Sequence, residues 1–267
     1  VSSAPKALNT NMASDADIDA RRPPRAEAVG APKSRDPSAM FAAVGAQASK
    51  LRLRRGQTVA LSLDGRETAF IVRSGALVLD LTLPGTGRQV VDLLLPGYVL
   101  RSSFVPADAN ARLSSVSVTE IWRLRWSVLK ALAGNDPALA GCLETSMAAQ
   151  KARQALHIAT IGRLTGVQRV ATVLTDLALR SGIALTAGEV GFDMPFSRKD
   201  IADYLGLNPD TLSRIISGLS SQGILARSER RRTVVRDVRA LAALTPAAQS
   251  LTAFTDSDRK PAPVDAA

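Results

Sequence analysis

Residues 197–225, SRKDIADYLGLNPDTLSRIISGLSSQGIL, hold the densest set of side chains in the chain that could recognise a partner. In the second half of the segment, Asp210, Thr211, Ser213, Arg214 and Ser217 are interleaved with Leu212, Ile215, Ile216 and Leu219. On a helix this pattern sends the apolar group to one face and leaves a carboxylate, three hydroxyls and a guanidinium for solvent or ligand. A guanidinium held on such a helix can donate two hydrogen bonds, which match the O6 and N7 acceptors of guanine. Farther on, Arg227, Arg230, Arg231, Arg232, Arg236 and Arg239 are opposed only by Glu229 and Asp237. Alone, that run fits a solvated surface as well as a phosphate-binding one; directly after the amphipathic segment, phosphate is the better reading, adding affinity without sequence information. The chemistry these groups support is recognition of double-stranded DNA.

Other chemistries have little to be built from. The 267 residues include one His and one Cys, and no clustered carboxylates or phosphate loop, so no enzyme is expected. A lone Cys142 makes no internal disulfide and no cysteine-based zinc or iron–sulfur site within one chain, which favours a reducing cytoplasm. No run of roughly 18 apolar residues and no secretory pattern is present, so no membrane partner is expected. Lys and Arg total 34 against 24 Asp and Glu, a net charge of +10, which suits a polyanionic partner without specifying one.

The elements that must position the recognition residues follow from caps and periodicity. Ser197 caps a first helix with Asp200 three residues on; Ile201, Ala202, Tyr204 and Leu205 form its buried face, and Gly206 suits the turn after it. Asn208 caps a second helix, 209–219, with Pro209 at its first position. Two short helices across a tight Gly-containing turn form a helix-turn-helix, whose second helix enters the major groove. Ser197, Arg198, Thr211 and Ser217 are then placed for the DNA backbone. Gly223, Ile224 and Leu225 pair with Thr233, Val234 and Val235 as a winged hairpin carrying Arg230, Arg231 and Arg232. Before this unit, Thr165 caps a helix to about Arg180, and a short strand-like stretch runs from Ile183 to Phe192.

Upstream, a helical run from Leu139 to Ile161 carries Leu143, Met147, Ile158 and Ile161 beside a stripe of Ala148, Ala152, Ala155 and Ala159. That pattern suits an intrachain core or a helix pair across a homodimer. Some 20 residues span roughly 30 Å, longer than one small barrel needs, which favours the dimer. From Leu51 to Leu124, turn glycines at roughly ten-residue spacing separate short apolar runs, the mark of an antiparallel barrel or jelly roll. One run, Ala76 to Leu83, would turn Leu77, Leu79, Leu81 and Leu83 to one core. The expected class is α+β: flexible arm 1–45, β-roll 46–134, dimerisation helix 135–162, winged helix-turn-helix 163–250 and flexible tail 251–267.

This order of elements, with SRKDIADYLGL followed by PDTLSRIISGL, resembles the CRP/FNR family of bacterial transcription regulators over roughly residues 50–245. The motif is similar to that of the FNR and nitrogen-fixation regulator branch. The resemblance implies an N-terminal cyclic-nucleotide-binding-like roll and a homodimer that reads a palindromic promoter site, with RNA polymerase as a further partner. It also assigns base reading to Asp210, Ser213 and Arg214, where the branch usually has Glu, Ser and Arg. Pro209 stands where the cAMP-responsive branch has an arginine, so that branch's site should not be read.

No cofactor is expected. The Gly-Glu pair that holds the ribose of cAMP is missing from Pro96–Phe104, and neither Arg101 nor Arg112 sits in the family's Arg-Ser arrangement. An iron–sulfur cluster lacks its thiolates. His157, a conceivable haem ligand, lies inside the long helix, where packing is the commoner role; Cys142 reads as an inert thiol. Trp122 and Trp126 are expected at the domain junction. An unidentified small-molecule effector and effector-independent control both fit, and the alternative function is a ligand-sensing module of the same fold that docks a protein rather than DNA.

Overall fold

The computed structural model describes residues 37–61, 65–106, 110–186, 188–226 and 232–259. Two four-stranded antiparallel sheets face each other as a β-roll. The strands are β1 (Ser49–Leu53), β2 (Thr58–Val59), β3 (Thr68–Ser74), β4 (Leu77–Thr82), β5 (Arg88–Leu94), β6 (Val99–Arg101), β7 (Asn110–Ser115) and β8 (Thr119–Arg125). One sheet runs β1-β8-β3-β6 and the other β2-β7-β4-β5. Phe70, Val72, Leu77, Leu79, Leu94, Leu113 and Ile121 fill the space between them.

Both sheets are also covered on their outer faces, so Thr68–Val72 of β3 and Leu77–Asp80 of β4 are buried at every position rather than at alternate ones. Helices α1 (Pro37–Val44), α2 (Trp126–Asn135) and the start of α3 (Pro137–Arg163) cover the first sheet. There Met40, Phe41, Val44, Leu129, Leu139 and Leu143 pack on Ala69, Ile71 and Trp122. Within the arm expected over residues 1–45, α1 places Met40, Phe41 and Val44 in a core, which corrects that expectation for residues 37–45; residues 1–36 lie outside the described set. The tryptophans belong to this layer, not to the domain junction. Trp122 meets the Phe41 ring edge-on at 5.2 Å, and Trp126 lies under the Arg101 guanidinium at 4.5 Å.

In β4, Leu77 and Leu79 face the roll interior as expected, but Leu81 is half-buried and Leu83 is 56% exposed. A β-bulge between Leu79 and Asp80 breaks the alternation, and Leu83 lies beyond the end of the strand.

Helix α3 has 27 residues, spanning about 40 Å. It starts at Asp136, whose carboxylate accepts from the amides of Ala138 and Leu139, with Pro137 at the first position. After it come α4 (Gly166–Ser181), β9 (Ile183–Thr186), β10 (Glu189–Asp193), α5 (Arg198–Leu205), α6 (Pro209–Ser221), β11 (Arg232–Val235), α7 (Val238–Ala243) and α8 (Ala248–Arg259). The expected single stretch 183–192 is thus a hairpin, turned at Gly188 with φ +98. Strand β11 pairs with β10, and Leu225 joins it through one isolated bridge to Val235. The expected pairing of 223–225 with 233–235 is thus present in short form on the other edge of β11: the Ala226 amide donates to the Val234 carbonyl and the Arg236 amide to the Ile224 carbonyl, both at 2.9 Å, on either side of that bridge, and residues 227–231 lie outside the described set. In the stretch expected as a flexible tail, Leu251 is buried on the inner face of α8. No described helix is long and apolar enough to cross a membrane.

Candidate nucleic-acid interface

Local capping fixes the two-helix unit. The Ser197 hydroxyl accepts from the Asp200 amide at 3.1 Å, and Asp200 accepts from the Ser197 amide at 3.0 Å, completing the expected capping box. Gly206 closes α5 in the left-handed region at φ +61, a conformation strained for other residues. From α4, Arg169 donates to the last α5 carbonyl, that of Leu205, at 3.0 Å, which satisfies a helix-end acceptor and ties α5 to the helix beneath it. The Asn208 side chain accepts from the Asp210 amide at 2.8 Å, and Pro209 opens α6.

The apolar face of α6 is anchored by Leu212 and Leu219, with Ile215 and Ile216 half-buried. Its other face carries Asp210, Thr211, Arg214 and Ser217, all exposed, with Ser213 half-buried beside them. Arg198 and Arg232 are exposed, and Ser197 is half-buried at the start of α5. Arg230 and Arg231 lie outside the described residues. Neither Arg214 nor Arg198 forms an ion pair among the described residues, so both guanidinium groups keep their donors for an external acceptor.

The four residues expected at a dimer helix divide. Leu143 is 6% exposed and packs in the core under α1, because that part of α3 covers the chain's own roll. Met147 and Ile161 are half-buried, and only Ile158, 72% exposed, is fully on the open face. Of the alanine stripe, Ala148, Ala155 and Ala159 are exposed and Ala152 is half-buried. Ala148, Lys151, Ala155, Ile158 and Gly162 are exposed at alternating steps of three and four, with Ala159 beside them.

A second set of residues, which sequence reasoning missed, joins the roll to this unit. Arg88, at the start of β5, lies 3.1 Å from Asp80 of β4, 2.9 Å from Asp200 and 3.0 Å from Asp203 of α5. Gln89 beside it donates to the Asp203 carbonyl. Burial works against the Arg88 charge, but the Asp200 and Asp80 carboxylates outweigh it and hold the guanidinium more firmly protonated than usual. Burial likewise opposes the Asp200 charge, and the Ser197 hydroxyl with Arg88 overcomes it, keeping Asp200 below the usual carboxylate range. The signal was present as charges embedded in strongly apolar strands, Asp80 and Asp92 among them.

Asp92 accepts from the Tyr98 hydroxyl and, at 2.9 Å, from Gln154 of α3; burial pushes its carboxyl up. One helical turn along α3, His157 stacks on Tyr204 of α5 with centroids 3.7 Å apart and planes 3° apart. Burial lowers this imidazole to about 4. A depressed His contributes stability that is complete above its unfolded value near 6.5 and is lost as pH falls toward 4. Between pH 7 and 4.5 the protein should lose about 2–3 kcal/mol that His157→Phe, which keeps a ring on Tyr204, does not lose. Asp200 acts only below about 3.8, so denaturant melts of the two proteins at these pH values isolate the imidazole; an equal acid loss in both would refute the assignment.

The positions considered for nucleotide binding are occupied from within: Arg101 donates to both Glu67 oxygens, and Arg112 lies 3.2 Å from Asp80. Cys142 is half-buried against the cluster under α1. No three of His, Cys, Asp and Glu lie together as metal ligands among the described residues.

Comparison with known proteins agrees with this architecture. Residues 168–244 match the family model of the Crp-like helix-turn-helix domain. The chain is 33% identical over 218 residues to the nitrogen fixation regulation protein FixK of Azorhizobium caulinodans, covering 81% of this chain and 86% of that protein. It is 29% identical over 190 residues to the transcriptional activator protein FnrL of Cereibacter sphaeroides, covering 68% and 74%. Among solved structures, FixK2 from Bradyrhizobium japonicum superposes with a TM-score of 0.62 at 30% identity, over 74% of this chain and 97% of that one. A roll, a long helix and a Crp-like helix-turn-helix in this order, with one-third identity along most of a FixK protein, make this chain a member of the CRP/FNR family, on its FNR/FixK branch.

Proposed function

We propose that this protein is a homodimeric transcription regulator that reads a two-fold symmetric promoter site in double-stranded DNA. The observation that carries the reading is the exposed Asp210–Arg214–Ser217 face of α6, held by the Asn208 cap and the left-handed Gly206, with no ion pair on Arg214 among the described residues. In this reading Asp210, Ser213 and Arg214 meet base edges, while Ser197, Arg198, Thr211, Ser217 and Arg230–Arg232 meet phosphates. The open stripe of α3 supports pairing of two copies, which sets the recognition helices about 34 Å apart. FnrL is named a transcriptional activator, which supports activation as the direction of control; RNA polymerase as the partner and the cytoplasm as the setting are part of the same proposal. The engagement of Arg101 with Glu67 and of Arg112 with Asp80 supports control without a cyclic nucleotide.

The test is selection from random duplex DNA with purified protein, followed by sequencing, in parallel with Arg214→Ala. The expected outcome is an inverted repeat whose discrimination at one position per half-site falls by about 1–3 kcal/mol in the variant. Sequence-blind binding, identical in the two proteins, would refute the base-reading assignment.

A further inference from the structure

Beside the recognition helix, a groove of about 950 Å³ separates the winged unit from the turn between β1 and β2. One wall is Arg55 of the roll; facing it are Ser197, Arg198, Ser217, Ser220 and Ser221 of α5 and α6. We propose that the roll completes the DNA backbone site, with Arg55 bonding a phosphate in this groove alongside Arg198 and the α6 serines. This rests on the DNA-binding reading above and extends it to a domain outside the helix-turn-helix.

The occupant follows from chemistry and position. Arg55 and Arg198 are exposed and have no carboxylate partner among the described residues. The acidic groups nearby in sequence are already engaged, Asp200 by Ser197 and Arg88, and Asp203 by Arg88 and Lys199. The rim is therefore cationic and rich in hydroxyl donors, complementary to a chain of phosphate oxygens. The apolar side chains in the depth of the groove, Phe196, Ile201, Leu212 and Leu225 among them, belong to the head's own core, so the polar rim above them is the part placed to meet a phosphate. The groove is also continuous with the recognition face. Ser217 and Ser221 lie three and seven residues beyond Arg214, so they extend the same exposed stripe of α6. A duplex on that stripe passes its backbone along the groove.

Arg55 is presented by a rigid turn. Gly56 at φ +84 donates to the Ser115 carbonyl at 2.7 Å, and the Ser115 amide donates to the Gln57 carbonyl at 2.8 Å. The Gln57 side chain accepts from the Arg54 amide at 2.7 Å. On the other side of the roll–head junction, Arg88 and Gln89 clamp α5, so the distance from Arg55 to α6 is set by the fold.

The experiment measures affinity of the full chain for its selected duplex and for a scrambled duplex between roughly 0.05 and 0.3 M salt, a range over which one phosphate contact changes the slope measurably. The proteins compared are the parent, Arg55→Ala, Arg55→Lys, Lys130→Ala and Arg214→Ala; Lys130 is an exposed cation on α2 and controls for net charge. Arg55→Ala should flatten the log–log salt slope by about 0.9 for each protomer that makes the contact and weaken both duplexes about equally. Arg55→Lys should restore most of the slope, and Lys130→Ala should leave it unchanged. If Arg55→Ala and Lys130→Ala behave alike, the groove is not a backbone site, even where Arg214→Ala still erases the preference for the selected duplex. Failure of the DNA reading itself would show differently, as no preference in the parent protein.

Discussion

Ala155→Glu is expected to leave each protomer folded and to separate the dimer. Ala155 is exposed near the middle of the α3 stripe, so a carboxylate there meets only water in a single chain. In a helix pair it faces its own copy and buries two like charges where small side chains allow close approach. Tethering two heads converts the second half-site contact into an intramolecular one, which strengthens binding by about 10²–10⁴ over one head. The variant should therefore lose about that factor on a duplex with both half-sites and almost nothing on a duplex with one. Sedimentation or light scattering gives the mass, and anisotropy titrations give the two affinities. A variant that stays dimeric would move the interface off this face.

The reason the stripe was only half read from the sequence is instructive. Large apolar residues on a long helix suggested the contact face, yet Leu143 is large because it plugs the chain's own core beneath α1, and periodicity cannot say which core a helix face meets. The small residues between were the open ones. The helix-turn-helix, by contrast, was fully readable, since Ser197, Asp200, Gly206, Asn208 and Pro209 act within a few residues of their own position and need no partner from elsewhere. The wing was readable in part: Leu225 meets Val235 as the local pattern implies, but the pairing of β11 with β10 at Val190↔Val235 joins strands separated by α5 and α6, which no local pattern shows. Helix α1 reads as arm in the sequence because only Met40, Phe41 and Val44 mark it in a run of small residues. Asp80 and Asp92 broke apolar strands visibly, but their partners are Arg88 of β5 and Arg112 of β7 for the one, Tyr98 and Gln154 of α3 for the other, and only the folded chain identifies them.

Those partners lead to the other large effect, at Arg88. Its guanidinium serves three carboxylates from two domains, and Asp80 is only 1% exposed. Removing one member of a buried ion pair costs about 3–5 kcal/mol; because Asp80 keeps Arg112 and Asp200 keeps Ser197, Arg88→Ala should cost less, about 2–3 kcal/mol. Arg88→Lys should recover only part, since a single ammonium cannot reproduce a planar fork shared among three acceptors. The form of the loss matters more than its size. With the clamp gone, roll and head should melt as two transitions in calorimetry where the parent protein shows one. The head would still read bases through Arg214, but Arg55 would no longer be held opposite α6. Combining Arg88→Ala with Arg55→Ala should then flatten the salt slope no further than Arg88→Ala alone, a coupling that appears only if the roll positions its arginine through this junction. Additive slopes would separate the clamp from the groove and leave Arg88 with a purely structural role.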